Sequence, residues 1–252
     1  MHIGIASEPI FHIGSFTVTN TLFTSWLVLI VITIIAFAFS KHIKAVPGRF
    51  QALGEFVLEK FMDFMDTFAG GRDTVRKFLP VVATIFFFVL TSNWMGTLPG
   101  FESIGFHEEH EGKEVFVPLL RTVNSDLNMT LALAFIIVIG SHIVGFATIG
   151  TKHHLGKFIV NPLKNPIGSF VGFLEIIGEL SRVVSLSFRL FGNIFAGSVL
   201  MLIISFLVPF IVPIPFLGLE FFVGFIQALV FLMLSTVFIN MATIGHGSEH
   251  HE

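Results

Sequence analysis

The 252-residue chain has no cysteine, which excludes disulfides and thiolate metal sites. Charge is also scarce. Asp, Glu, Lys and Arg make up 12% of the residues, about half the share usual in soluble domains. A net charge of −3 argues against a nucleic-acid partner, which calls for a basic surface. The first 20 residues hold no Lys or Arg, which speaks against a cleaved signal peptide and an Arg-rich transit peptide. There is no internal repeat and no low-complexity linker, so one domain, 1–252, is expected. What the chain has in place of charge is apolar mass. It is 54% hydrophobic, with 33 Phe and a mean hydropathy of +0.88. That balance points to an integral membrane protein.

A membrane helix needs roughly 20 mostly apolar residues. Segments 22–40, 77–95 and 127–150 meet that requirement. Two longer ones follow, 167–209 and 217–244, separated by Pro213 and Pro215. Lys41, Lys44, Arg49, Lys60, Arg72, Arg76 and Lys77 lie between the first two spans, and Lys152, Lys157 and Lys164 between the third and fourth. The opposite side has only Lys113 and Arg121. Basic loops stay in the cytoplasm, so the N-terminus is expected outside and the C-terminus inside. In 47–70, Phe50, Leu53, Val57, Phe61, Phe64, Met65 and Phe68 recur at helical spacing opposite Gln51, Glu55, Glu59, Asp63 and Asp66. This is the pattern of an amphipathic helix on the inner surface, and packing beneath the spans is compatible with it. The expected fold is therefore all-α: five transmembrane helices, one amphipathic surface helix, and a C-terminal hairpin of two long helices.

The segment 167–209 would be about 64 Å long as a straight helix, against a hydrocarbon core of about 30 Å. Steep tilt, a bend or a start well inside the cytoplasm must resolve the mismatch. Glu175, Arg182, Arg189 and Ala196 stand seven apart, on one face. Ser185, Gly192 and Asn193 flank Arg189. Glu220 and Gln227 form a second seven-residue repeat on the last helix. Arg182 is close enough to the inner end to snorkel to the headgroups. Arg189 sits two turns deeper, where a charge costs at least ~2.5–3.5 kcal/mol on insertion scales. Such charges pair or line a water path. Glu220 reads as a boundary carboxylate or a site residue, and Gln227 as an interhelical hydrogen bond or a site residue.

The stretch SFRLFGNIFAG, 187–197, resembles the signature of the subunit a family of F-type ATP synthases. FIQALVFLMLSTVFINMA, 225–242, resembles that family's last helix. NWMGTLPG, 93–100, and NSDLNMTLALA, 124–134, resemble its second and third spans. The resemblance implies a non-catalytic subunit of the membrane F0 sector that takes no cofactor. It implies two offset proton half-channels that meet a rotating c-ring on either side of one arginine, Arg189. The fixed cation favours proton release from a ring carboxylate and blocks a direct leak between half-channels. Lysine would be a poor substitute, because a buried lysine can lose its proton. Further implied partners are b-type stalk subunits, the other F0F1 subunits, the lipid bilayer and protons. The membrane would be an energy-coupling one, a bacterial inner membrane or an organellar inner membrane.

By the same resemblance Glu220, Asn193 and Gln227 line the outer half-channel, and Asp126 and Asn128, at the outer end of the third span, extend it. Glu175 and Glu179 suit the inner half-channel, or else are a solvated helix start. One position departs from many relatives: nine residues after the arginine, where several carry an ionisable Glu or His, stands Ser198. His142, within the third span, is the candidate substitute, with a simple hydrogen-bonding role as the alternative. HEEH at 107–110 and HGSEHH at 246–251 resemble the His boxes of di-iron membrane enzymes. They fall on opposite sides of the membrane, cannot share a metal, and are expected to be solvated. A proton-coupled small-solute transporter is the competing function. It is disfavoured by the missing repeat, since many transporters carry one.

Overall fold

The structure, a computed structural model, describes residues 7–41, 43–44, 47–69, 71–110, 113–156, 158, 166–208 and 211–243. A short hairpin, β1 (Pro9–Ile13) and β2 (Phe16–Thr19), leads into α1 (Asn20–Ser40). Thr19 caps α1 by accepting from the Leu22 amide, which satisfies one of the donors that every helix start leaves open. The amphipathic helix α2 (Arg49–Ala69) and the second span α3 (Arg72–Thr97) follow. A second hairpin, β3 (Gly105–His110) and β4 (Lys113–Pro118), precedes α4 (Leu127–Ile149). A six-residue helix α5 (Thr151–Gly156) precedes the long pair α6 (Pro166–Leu207) and α7 (Pro213–Thr243). Five of these helices, α1, α3, α4, α6 and α7, are long and apolar enough to cross a membrane, and the protein is an all-α multi-pass membrane protein.

Several local features differ from the sequence reading. The two β-hairpins and α5 were not expected. The segment HEEH, at 107–110, is the second part of β3 and pairs with β4, His110 standing opposite Lys113. The other His-rich segment, 246–251, lies outside the described residues. Pro213 and Pro215 do not separate the last two helices but open α7, where a missing N–H costs nothing. Helix α3 begins at Arg72, before the apolar run. Its first turn reaches back to α2, where Arg72 pairs with Asp63.

The core is built around α7. Ala228, Phe231, Leu232 and Ile239 of α7 pack with Val82, Phe86 and Val89 of α3 and Leu133, Ala134 and Ile137 of α4. Val183, Leu186, Leu190 and Ile194 of α6 complete it at spacings of three and four, one helix face. The second half of α2 closes the core from the side. Phe61 and Met65 are buried there, Phe61 meets Phe86 edge-on at 4.8 Å, and Asn240 of α7 donates to the Phe68 carbonyl at 3.0 Å. The first half of α2 leaves Phe50, Leu53 and Phe56 exposed. This helix thus both packs under the bundle and offers an apolar face outward.

Helix α6 has 42 residues, about 63 Å against a hydrocarbon thickness of about 30 Å. It can stay in lipid along its length only if it is steeply inclined. Helix α4 packs against it in the antiparallel sense. Thr130 meets Ser187 at 3.1 Å and His142 meets Glu179 at 3.7 Å. Twelve residues along α4 thus correspond to eight along α6. Away from its one buried stripe, α6 exposes Phe170, Phe173, Leu174, Ile177, Leu180, Val184 and Phe188.

Candidate functional site

The antiparallel register of α6 and α7 is set by three contacts. At the loop end, Gly197 lies so close to Glu220 that a Cβ on it would sit 2.6 Å from Glu220 Oε1. Leu186 and Arg189 share a groove with Leu234. Further along, the Arg182 guanidinium lies 5.4 Å from the centre of the Phe238 ring. By this register Asn193 and Gln227 fall at the same level, between Glu220 and Arg189. Asn193 is exposed and Gln227 half-buried. Ser198 is beside Gly197, but its hydroxyl donates to the Ile194 carbonyl at 3.0 Å. That bond occupies the hydroxyl hydrogen within its own helix.

Arg189 stands on the open face of α6, beside a groove of about 260 Å³ lined by Ser181, Ser185, Leu234 and Phe238. Among the described residues its one hydrogen bond goes to Ser185 Oγ, at 3.3 Å. No carboxylate of the described residues pairs with it. Ser185, Gly192, Asn193 and Ala196 are exposed with it, so the small, polar stripe read from the sequence faces outward from the bundle.

Arg182 is a different case, and the snorkelling expectation for it is corrected. It is half-buried, hydrogen-bonded to Glu179 and 3.9 Å from Glu175 Oε1, with Phe238 beneath it. Spacings of three and seven on one helix bring these charges together, and Phe238 of α7 lies against the Arg182 guanidinium. Glu175 and Glu179 are therefore ion-paired and partly buried, not a solvated helix start.

His142 is likewise corrected. Its place is not with Ser198 and Glu220 but with Glu179, on the far side of Arg189. Helix α4 runs antiparallel to α6, so the later residues of α4 meet the earlier residues of α6. His142 Nδ1 is also 3.0 Å from Nε2 of His154 on α5. His154 is 2% exposed and was missed in the sequence. Its segment, TKHHLG, shows neither periodicity nor a partner, and only the fold-back of α5 onto α4 pairs it.

Asp126 and Asn128 lie at the start of α4. Asp126 is buried, caps the helix by accepting from the Asn128 amide at 2.9 Å and accepts from Thr21 Oγ1 at 2.9 Å. Both oxygens are committed to joining α4 and α1. No hydrogen bond or ion pair among the described residues brings Asp126 or the exposed Asn128 to Glu220. Two other residues approach that end of α7 instead. Asn93 donates to the Gly224 carbonyl at 3.1 Å, one turn from Glu220, and Asn124 donates to Asn93 Oδ1 at 2.7 Å. Trp94 Nε1 donates to the Phe221 carbonyl at 3.2 Å. Both asparagines are fully buried and sit in the stretches NWMGTLPG and NSDL. Those stretches pointed to the family without singling them out.

The described side chains contain no group of three or more His, Asp or Glu able to hold a metal ion. The described residues place Glu175, Glu179 and Arg182 toward the start of α6, Glu220 of α7 against Gly197 toward its end, and Arg189 without a carboxylate partner between them. A family model described as ATP synthase A chain matches residues 22–240. ATP synthase subunit a of Campylobacter jejuni subsp. jejuni serotype O:23/36 (strain 81-176) is 35% identical over 228 residues, covering 87% of this chain and 89% of the relative. The protein of the same name from Campylobacter jejuni (strain RM1221) matches to the same extent. These similarities set aside the solute-transporter alternative: the chain belongs to the ATP synthase A chain family, the proton-translocating subunit of the membrane F0 sector.

Proposed function

We propose that this chain supplies two proton half-channels that end on either side of Arg189, against a rotating c-ring. It makes and breaks no covalent bond other than those to protons. The observation that carries this reading is the isolation of Arg189. It lies on the exposed face of α6 without a carboxylate partner among the described residues. Gly197, where α6 meets Glu220, lies about 12 Å further along the helix. The Glu175–Glu179–Arg182 cluster begins about 10 Å away in the other direction. An unpaired arginine at membrane depth needs a counter-charge. A ring that presents one carboxylate at a time would provide it and be held in register by it. The exposed apolar face of α6 is the matching contact surface, and the inclination of the helix suits a curved partner.

In this reading Glu220, Gln227, Asn193 and Ser198 line the outer half-channel. Glu220 relays the proton, and Asn193 and Gln227 offer polar atoms to water. Asp126 and Asn128 hold the outer end of α4 in place. Glu175 and Glu179 belong to the inner half-channel. The basic segments between α1 and α3 and after α4 put the C-terminus in the cytoplasm and the N-terminus outside. The membrane is an energy-coupling one, most simply a bacterial inner membrane, and b-type stalk subunits hold the chain against the torque of the ring. The test is Arg189→Ala in the whole complex, in inverted vesicles. The complex should assemble and ATP-driven proton pumping should be lost. Pumping near the wild-type rate would overturn the assignment.

A further inference from the structure

The inner half-channel carboxylates of that reading sit in a polar cluster with more titratable groups than an ion pair needs. Glu179 Oε1 is taken by Arg182. Its Oε2 is buried without a hydrogen bond among the described residues and lies 3.7 Å from His142 Nε2. His142 Nδ1 and His154 Nε2 are 3.0 Å apart, so one of these two nitrogens carries a proton and the other accepts it. Glu179, His142 and His154 thus form a row from the first third of α6 to α5, hydrogen-bonded between the two imidazoles and at ion-pair distance between His142 and Glu179. The rings of Phe146 and Phe158 meet His154 edge-on at 4.6 and 5.8 Å, and Phe158 also meets His142.

We propose that His142 and His154, with Glu179, form a proton-transfer station on the inner side of Arg189. The charge balance supports it. Glu175 and Glu179 bring two negative charges, and Arg182 brings one positive charge. One proton, placed on the imidazole pair or on Glu179, makes the cluster neutral, and a buried cluster favours neutrality. The transfer balances without any other reactant. A proton on Glu179 Oε2 passes to His142 Nε2, the proton on His142 Nδ1 passes to His154 Nε2, and the reverse order loads the station. An imidazole can do this because one ring nitrogen accepts a proton while the other gives one up. The charged and titratable groups facing the station, among the described residues, are Glu175, Glu179 and Arg182 from α6. Helix α4 adds His142 and α5 adds His154. Helix α7 contributes the uncharged Phe238.

His154 also packs closely. A Cβ on Gly145 would sit 2.5 Å from its Cε1, so a purely structural role must be distinguished from a relay. The proposal rests on the half-channel reading, and one experiment separates the two. The whole complex is reconstituted in vesicles, and ATP-driven proton pumping is measured while the pH on the ATP side is varied. A relay matters most when protons are scarce. His142→Gln and His154→Phe should therefore pump near the wild-type rate at about pH 6 and about five-fold more slowly at about pH 8. His154→Phe keeps an aromatic ring in the same packing and removes its nitrogens, so a His154 that only fills space would leave this variant unchanged, and that result overturns the proposal. A variant-to-wild-type ratio that stays flat across pH overturns it as well. If His154→Phe does not assemble, the profile of His142→Gln decides alone. Failure of the half-channel reading shows separately, as pumping by Arg189→Ala.

Discussion

Gly197→Ala is a small change at an informative position. The new methyl carbon would lie 2.6 Å from Glu220 Oε1 and 3.3 Å from its Cδ. Ordinary contact begins at 3.4 Å, so the carboxylate must retreat by about 0.8 Å. The obstacle is the end of a flexible side chain, so the backbone need not move. Turning the Glu220 side chain about 30° off its rotamer costs roughly 0.5–1.5 kcal/mol. Replacing a mid-helix glycine by alanine returns roughly 0.5–1 kcal/mol. The two nearly cancel, so assembly and thermal stability should be unchanged. If proton relay depends on the carboxylate being in its present place, the same displacement energy appears in the rate. At 1.36 kcal/mol per decade it slows proton flux about two- to thirteen-fold. The assay is passive proton conduction and ATP-driven pumping in reconstituted vesicles, across pH. Gly140→Ala is the control, since a Cβ there meets nothing within 4 Å. Full flux in Gly197→Ala with an unchanged pH profile would refute the link between this close approach and transport. Loss of assembly would refute the claim that the side chain alone yields.

Three further outcomes are expected. Glu220→Gln keeps the shape and removes proton exchange, so flux in vesicles should fall steeply, with partial recovery in Glu220→His. Asp126→Ala removes a helix cap and the acceptor of Thr21, and should lower stability by about 1–2 kcal/mol. The yield and melting of the purified complex would show it, while Asn128→Ala stays close to wild type. Asn93→Ala leaves the Gly224 carbonyl and the Asn124 amide without their partner, at about 1–3 kcal/mol. Its signature is loosened packing of α3 on α7, read as faster proteolysis of the 98–104 segment.

Much of this protein was legible in one dimension. Hydropathy is a sum over neighbours in sequence, so the five spans and the amphipathic α2 could be read without a fold. A seven-residue spacing puts residues on one helix face whatever lies opposite. Arg182 and Arg189 could therefore be placed on a stripe from sequence, as could Glu220 and Gln227. The depth of Arg189 and the stretch around it were enough to point to the family. Tertiary structure decided what each stripe meets. A helix face does not say which neighbour covers it or at what level, because that register is set by packing between segments far apart in the chain. Arg182 and Arg189 look alike in sequence, yet α7 places Phe238 over one and leaves the other open. His142 was the candidate substitute for the ionisable group missing at Ser198, but the antiparallel run of α4 against α6 puts it at Glu179. The partnership of His142 with His154 exists only because α5 folds back. The approach of Gly197 to Glu220 is likewise invisible until two helices meet. Local chemistry was written in the residues, and the pairing of those residues across helices was the work of the packed bundle.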